Sequence, residues 1–237
     1  MRSKFLSAGA VLVVLAGCGG SGGGSGSSKP QIRFFNSIPD SKAIDFQVNE
    51  TTAASSIPYG GSDQNFLSES SGLTDLTIFE HGQQIPLWSE ADTLANNVSY
   101  IAVAIGEEGY GSETDKRPQF AFSAISRTAP NGTQAKLFIV HGLEEAAGVP
   151  TPNIDFTNPG QNPTFAVTNL APGSITALTV NAGSQEFIAR QTGTQGSYAD
   201  QTFTLAAGGV YLMVVTGING DTGAEAPEIE QVSIQGN

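Results

Sequence analysis

Ala43-Ile44-Asp45-Phe46 returns 110 residues later as Asn153-Ile154-Asp155-Phe156, and Leu94, Tyr100 and Gly106 return 111 residues later as Leu205, Tyr211 and Gly217. Both stretches are short, rich in aliphatic and aromatic side chains, and bounded by turn formers, which is the pattern of buried or half-buried strands. A spacing kept near 110 residues reads as a duplicated β module. Gly72 aligns with Gly173 at 101 residues, which places an insertion in the second copy around Arg190–Ala199.

Working outward, Ile32–Phe35, Ile44–Val48, Leu73–Phe79 and Val98–Ile105 are strand candidates in the first half. Lys136–His141, Asn153–Phe156, Thr164–Val167, Ile175–Val180 and Val210–Thr216 are those of the second. Pro58-Tyr59-Gly60-Gly61, Pro172-Gly173 and Gly208-Gly209 separate them as turns. Leu143–Ala147 has the composition of one helical turn, and no longer stretch carries a helical apolar stripe. Seven or eight strands per copy at roughly 10-residue spacing favour a sandwich over an open sheet. The expected fold is all-β: two tandem immunoglobulin-like sandwiches, over residues 31–130 and 131–237. Tyr100 and Tyr211 fall in the last hairpins, with Val103 and Val214 on central strands, all as core.

Composition agrees. Of 237 residues, 39% are hydrophobic and 14% charged, with 29 Gly and 13 Phe. That profile suits short strands and many turns better than helices.

The N-terminus carries a separate message. Arg2 and Lys4 precede the apolar run Phe5–Leu15, which is too short to span a bilayer as a helix and has the length of a signal-peptide core. It ends in Leu15-Ala16-Gly17-Cys18, which resembles the lipobox of bacterial lipoproteins. That resemblance implies cleavage after residue 17, fatty acylation (palmitate among the chains) on Cys18, and two or more acyl chains, enough for stable anchoring. Gly19 rather than Asp after the cysteine leans toward the outer membrane. Gly19–Ser28 is all Gly and Ser, so residues 18–30 read as a flexible tether. The expected location is the cell envelope, lipid-anchored.

The chain has a formal charge of −12; without Met1–Gly17 it holds 8 basic and 22 acidic residues, or −14. Such a surface repels phosphate backbones, which disfavours nucleic acid and is compatible with divalent cations or basic partners. Cys18 is the only cysteine, so neither an intramolecular disulfide nor a thiolate metal cluster can form.

At Arg33–Asn49 the chain resembles the family catalogued as domain of unknown function 4397. The matching residues are Arg33, Pro39, Asp40, Ala43, Ile44, Asp45, Phe46, Val48 and Asn49. The first copy departs at Asn36, where the family usually has His, and at Glu50, where it has Gly. The second copy keeps His141 and lengthens the following loop, Gly142–Pro152, before Asn153-Ile154-Asp155. Ala171-Pro172-Gly173 and Leu205–Gly217 resemble the later strands. The resemblance implies tandem immunoglobulin-like modules on exported proteins, supplies no established activity and names no catalytic residue.

The chemistry-bearing residues are few. His81 and His141 are the only histidines, without ligand spacing, and no Gly-x-Ser-x-Gly elbow exists. No catalytic residue is assigned, and a non-enzymatic role in binding, adhesion or structural spacing is expected, with an envelope hydrolase as the remote alternative. Asp45 and Asp155 recur in otherwise apolar strands, where a carboxylate caps backbone N–H groups or, less readily, holds a cation. Glu107, Glu108, Glu113 and Asp115 form one acidic loop, and Asn219, Asp221 and Glu225 an equivalent one. Neither has an EF-hand pattern, so Asp45, Asp155, Glu107 and Asp221 are the weak candidates for Ca²⁺ and no cofactor is required. Trp88 and Tyr110 are candidate sugar platforms, although Trp88 lies in an apolar strand that favours core placement. The expected partners are the membrane, through the lipid, and an unidentified envelope protein or glycan. The second reading is a carbohydrate- or calcium-dependent binding module.

Overall fold

The computed structural model describes residues 28–160 and 163–234. Sixteen strands follow in order: β1 (Gln31–Asn36), β2 (Ala43–Val48), β3 (Thr51–Pro58), β4 (Leu67–Ser68), β5 (Gly72–Glu80), β6 (Pro86–Leu94), β7 (Ser99–Ile105), β8 (Gln119–Ile125), β9 (Gln134–His141), β10 (Ile154–Thr157), β11 (Ala166–Leu170), β12 (Ile175–Asn181), β13 (Gly183–Gln191), β14 (Ser197–Leu205), β15 (Val210–Thr216) and β16 (Glu228–Ser233). No helix occurs among the described residues. The signal peptide and Cys18 lie outside them.

The strands form four sheets of four, ordered β4-β1-β7-β8, β3-β2-β5-β6, β12-β9-β15-β16 and β11-β10-β13-β14. Add eight to each strand of the first two and the last two result. The halves therefore share one pairing plan, including the parallel pairs β1–β7 and β9–β15. The architecture is that of the expected sandwich, with its own strand order. Constant-type immunoglobulin sheets, ABED and CFG, separate the second strand from the third, whereas β2 and β3 are neighbours in one sheet here. Tyr100 and Tyr211 make the same corner: each hydroxyl accepts a backbone N–H five residues upstream, from Ala95 and Ala206, at 2.9 Å.

Register corrects the expected alignment. Gly72 pairs with Leu94 and Gly183 with Leu205, so Gly72 corresponds to Gly183 and not to Gly173. The turns 81–85 and 192–196 are equally long, and no insertion sits near Arg190–Ala199. The insertion lies instead after β9. Asn36 and His141 are equivalent through their partners Ala104 and Val215, and nine residues separate Asn36 from Asp45 where fourteen separate His141 from Asp155. Leu143–Ala147 forms no helical turn, because Glu144 extends the parallel pairing by a bridge to Ile218 and outside partners hold the next carbonyls.

Period-2 alternation places three cores. Phe34, Phe46, Leu76, Ala102 and Ala104 fill the first sandwich. Leu137, Ile139, Phe156, Phe187, Met213 and Val215 fill the second. The opposite faces of the inner sheets meet each other in a third core, built from Phe35, Ile101, Val103 and Ile105 of the first half and Phe138, Val140, Leu212 and Val214 of the second. Strands β1, β7, β9 and β15 are thus covered on both faces, which explains their nearly unbroken apolar runs.

Candidate functional site

Because β1 is parallel to β7 and β9 to β15, the C-terminal ends of each pair lie together. The Ser37 hydroxyl donates to Thr216 Oγ1 at 2.6 Å and ties the end of β1 to the end of β15, so all four central strands point the same way. The loops 37–42, 106–118, 142–153 and 217–227 form a crown at that end. The chain enters at the opposite end. There Ser28 donates N–H and Oγ–H to Asn97 Oδ1 at 2.8 and 2.9 Å, and the Asn97 N–H returns to the Ser28 carbonyl at 2.9 Å. A seven-residue strand separates the two ends by about 23 Å.

The crown concentrates charge. Its loops hold Asp40, Glu107, Glu108, Glu113, Asp115, Glu144, Glu145, Asp221 and Glu225 against Lys42, Lys116 and Arg117. A net −6 in four loops is a large share of the −14, so the acidity is concentrated at this end. It surrounds a buried cation, Lys116, which is 1% exposed. Its ammonium donates to the carbonyls of Glu145 (2.6 Å) and Ala146 (2.9 Å) and lies 3.1 Å from Glu113 and 3.8 Å from Glu107. A side chain of the first half is therefore capped by main chain of the second, through the residues inserted after β9. Four oxygens compensate a charge that burial alone would not tolerate.

One carboxylate braces the last loop of each half. Asp40 accepts the N–H groups of Glu108 (2.7 Å) and Gly109 (2.6 Å). Glu145, at the equivalent position, accepts Tyr198 O–H and Asn219 Nδ2–H, each at 2.7 Å. Beside them Glu107, Ala146, Ala147, Ile218, Asn219, Gly220 and Asp221 line an open cleft of about 420 Å³. Burial raises the Glu107 carboxyl above its usual range, against the opposing pull of Lys116. Burial also pushes Glu144 up to about 7; the Thr151 hydroxyl bond works against this, and Glu107 adds to it.

Two of the four cation candidates thus come together and two do not. Glu107 and Asp221 face one cleft from different halves. Asp45 and Asp155 each clasp a β-bulge in their own outer sheet. Asp45 Oδ1 accepts Ser55 O–H (2.7 Å), Ser56 N–H (2.7 Å) and the His81 Nδ1–H (2.9 Å). Asp155 Oδ1 accepts Asn169 N–H (3.0 Å) and Thr192 O–H (2.9 Å). Ser56 and Asn169 have φ of 56° and 60°, a left-handed conformation held by the carboxylate in the absence of glycine. Burial works to raise the Asp45 carboxyl, and the bonds from Ser56, Ser55 and His81 outweigh it and hold it below the usual range. Among the described residues, no group of three or more His, Cys, Asp and Glu is placed to hold a metal.

The two histidines do not meet: His81 serves Asp45, and His141 lies fully buried in β9, its Nε2–H donating to the Pro152 carbonyl at 2.9 Å. Trp88 packs against the first core, donates Nε1–H to Glu90 at 2.9 Å and is covered by Arg117, 4.3 Å from its ring centre. It is a packed edge residue and no open platform. Tyr110 sits half-buried in the crown, where its carbonyl accepts the Glu113 N–H. Sequence gives no signal for Lys116, because an Asp-Lys-Arg-Pro stretch in a loop reads as solvated charge.

Stacked all-β sandwiches with a polar loop crown define the class. A family model described as "Domain of unknown function (DUF4397)" matches residues 30–149, and the chain belongs to that family. No curated protein matches it. Among solved structures, the Bacillus anthracis TIE protein is 12% identical with a TM-score of 0.26, and the match covers 80% of this chain and 34% of that one, so the chain spans about a third of its length. A candidate cell adhesion protein from Bacteroides ovatus is 13% identical over 88% of this chain and 97% of its own, with a TM-score of 0.26. A family CBM26 module from Eubacterium rectale Amy13K, solved with maltoheptaose, is 10% identical over 88% and 97%, with a TM-score of 0.24.

Proposed function

We propose that the protein is a non-enzymatic, lipid-anchored envelope protein that presents the crown to a partner away from the membrane. The observation that carries this reading is the placement of the crown and the tether root, clasped at Ser28 and Asn97, at opposite ends of the body. A lipid on Cys18 followed by a Gly/Ser segment delivers the chain to that root, so the acidic loops stand farthest from an anionic bilayer, where repulsion is least. The second half, whose strand pairing repeats the first, is a second copy of the family's module. Together the copies bury their apolar inner faces and expose loops.

The test has two parts. Cys18→Ser is expected to abolish incorporation of labelled fatty acid and release the protein from membranes; unchanged retention overturns the anchor. A photo-crosslinking residue at Asp221, in the crown, is expected to capture a neighbour on intact cells that the same residue at Ser71, near the root, does not. Equal capture from both overturns the orientation.

A second reading, a calcium- or carbohydrate-dependent module, is favoured by one observation: Glu107 and Asp221 line the same cleft. Titration calorimetry with Ca²⁺ and with cell-wall glycans decides it, since absence of heat removes it.

A further inference from the structure

The insertion that distinguishes the second half forms a strap, Glu144–Pro152, drawn across the seam at the crown. Seven hydrogen bonds hold its two ends and its middle. Glu144 N–H donates to the Gly217 carbonyl and the Glu144 carbonyl accepts the Asn219 N–H (2.9 and 2.8 Å). Lys116 donates to the carbonyls of residues 145 and 146, and the Gly148 N–H donates to Glu113 Oε1 at 2.9 Å. The Thr151 hydroxyl donates to Glu144 Oε2 at 2.7 Å, and the Pro152 carbonyl accepts from His141.

One member of this network lacks a partner suited to its ionised form. Glu144 is 4% exposed, and its hydrogen bond comes from a neutral hydroxyl. From loop 106–118 it faces Glu107, Asp115 and Lys116, and Glu113 lies on the far side of that lysine. On the strap itself it adjoins Glu145, whose carboxylate is held by Tyr198 of β14 and Asn219. Asp221 lies on the far wall of the cleft, and neutral His141 at the strap's root. Among the described residues the cation acting on it is Lys116, which already spends its three N–H bonds on two carbonyls and Glu113. A proton on Glu144 therefore removes a buried charge that a neutral hydroxyl and an already committed lysine compensate only in part.

We propose that the strap Glu144–Pro152 is a proton-operated catch between the two halves, shut while the Glu144 carboxyl is protonated and loosened when it ionises. Ala146 and Ala147 of the strap line the crown cleft, so loosening reshapes the surface that a partner meets. The direction follows from linkage. A carboxyl raised to about 7 in the shut form and ordinary, near 4.5, in the open form favours closure below pH 4.5. That preference fades as pH rises through about 7. The inference does not depend on the anchor.

Hydrogen–deuterium exchange of the full chain at pH 5 and pH 7.5, corrected for intrinsic exchange, reads it directly. Amides of the strap are expected to lose protection by up to roughly 100-fold from pH 5 to pH 7.5, while those of β9 and β15 lose none. Glu144→Gln, which keeps the shape and cannot ionise, is expected to keep the strap protected at both. Wild type and Glu144→Gln behaving alike overturns the proposal. So does an ordinary midpoint for Glu144 in a carbon-13 carboxyl titration of the unaltered, folded chain.

Discussion

The first and second halves share a strand plan and differ where the plan meets the crown. Asn36 and His141 stand at the same point of the central strands. Asn36 is fully bonded: its Nδ2 donates to Ser41 Oγ (3.0 Å) and the Ile57 carbonyl (3.1 Å), and its Oδ1 accepts the Ile38 N–H (3.0 Å). His141 satisfies one nitrogen and leaves Nδ1 buried without a hydrogen bond. Further on, Lys116 corresponds to Glu225, both facing the glycines Gly106 and Gly217 through their carbonyls. The common frame is held by apolar burial, and each half's character is set by a few polar substitutions at one end. That separation is what permits a family to keep its fold while its loops change.

The comparison breaks most violently at the seam. Val103 and Val214 are equivalent, fully buried and in the same core. Val103→Asp and Val214→Asp should each cost roughly 3–5 kcal/mol, because each buries an unpaired charge. Urea unfolding checks this. Equal losses from the two variants, with a single cooperative transition split into two, are the expected outcome. A loss confined to one half would mean that the seam does not couple them.

His141 sharpens the contrast with Asn36. Burial holds its imidazole down to about 4, from an ordinary 6.5, with the bond to Pro152 opposing. The unfolded chain therefore takes up a proton first. The stability this residue contributes is complete above pH 6.5 and is lost as pH falls toward 4, by roughly 3 kcal/mol. Stability measured against pH should lose that slope in His141→Asn, which installs the residue of the first half. An unchanged slope would place the titrating group elsewhere.

Asp45 and Asp155 test whether equivalent residues carry equal loads. Alanine at either frees a left-handed backbone N–H and other donors, for about 1–3 kcal/mol. Asp45, with three donors against two, should be the more costly of the pair in thermal or urea melts. The reverse order would show that Arg190, 4.0 Å from Asp155, outweighs the His81 bond, which is half open to solvent.

Much of this was legible in the residues. The Leu–Tyr–Gly spacing and the paired Asp strands point to the repeated strand plan, and short apolar runs bounded by turn formers mark the inner strands. The outer strands were harder. β3 reads Thr-Thr-Ala-Ala-Ser-Ser, small and polar, because it lies on a sheet edge and carries the bulge clasped by Asp45. Gly173 resembles a partner of Gly72 because both are glycines with positive φ at or just before the start of a strand, and only register distinguishes it from Gly183. The seam had a signal that alternation hides: Tyr100–Ile105 and Leu137–Val140 are apolar at every position, which a sheet with one wet face would not need. Leu143–Ala147 has helical propensity, overruled by the bridge to Ile218 and by Lys116. A lone buried lysine leaves no trace in a sequence at all.

The smallest expected effect lies at the edge of the first sandwich. Arg117 corresponds to Ala226, 109 residues on, and Trp88 to Ala199, 111 residues on, so the second half does without the pair. Arg117 is exposed, and a cation over an indole at such a site is worth about 0.5–1 kcal/mol. Arg117→Ala should cost that much alone and nothing further once Trp88 has been replaced by Leu, since the coupling belongs to the ring and not to the charge's other neighbours. A double-mutant cycle in urea reads this directly. Additive losses would mean that Arg117 acts through the crown's field of carboxylates, and then its removal, unlike that of the stacked pair, should matter less as salt is raised.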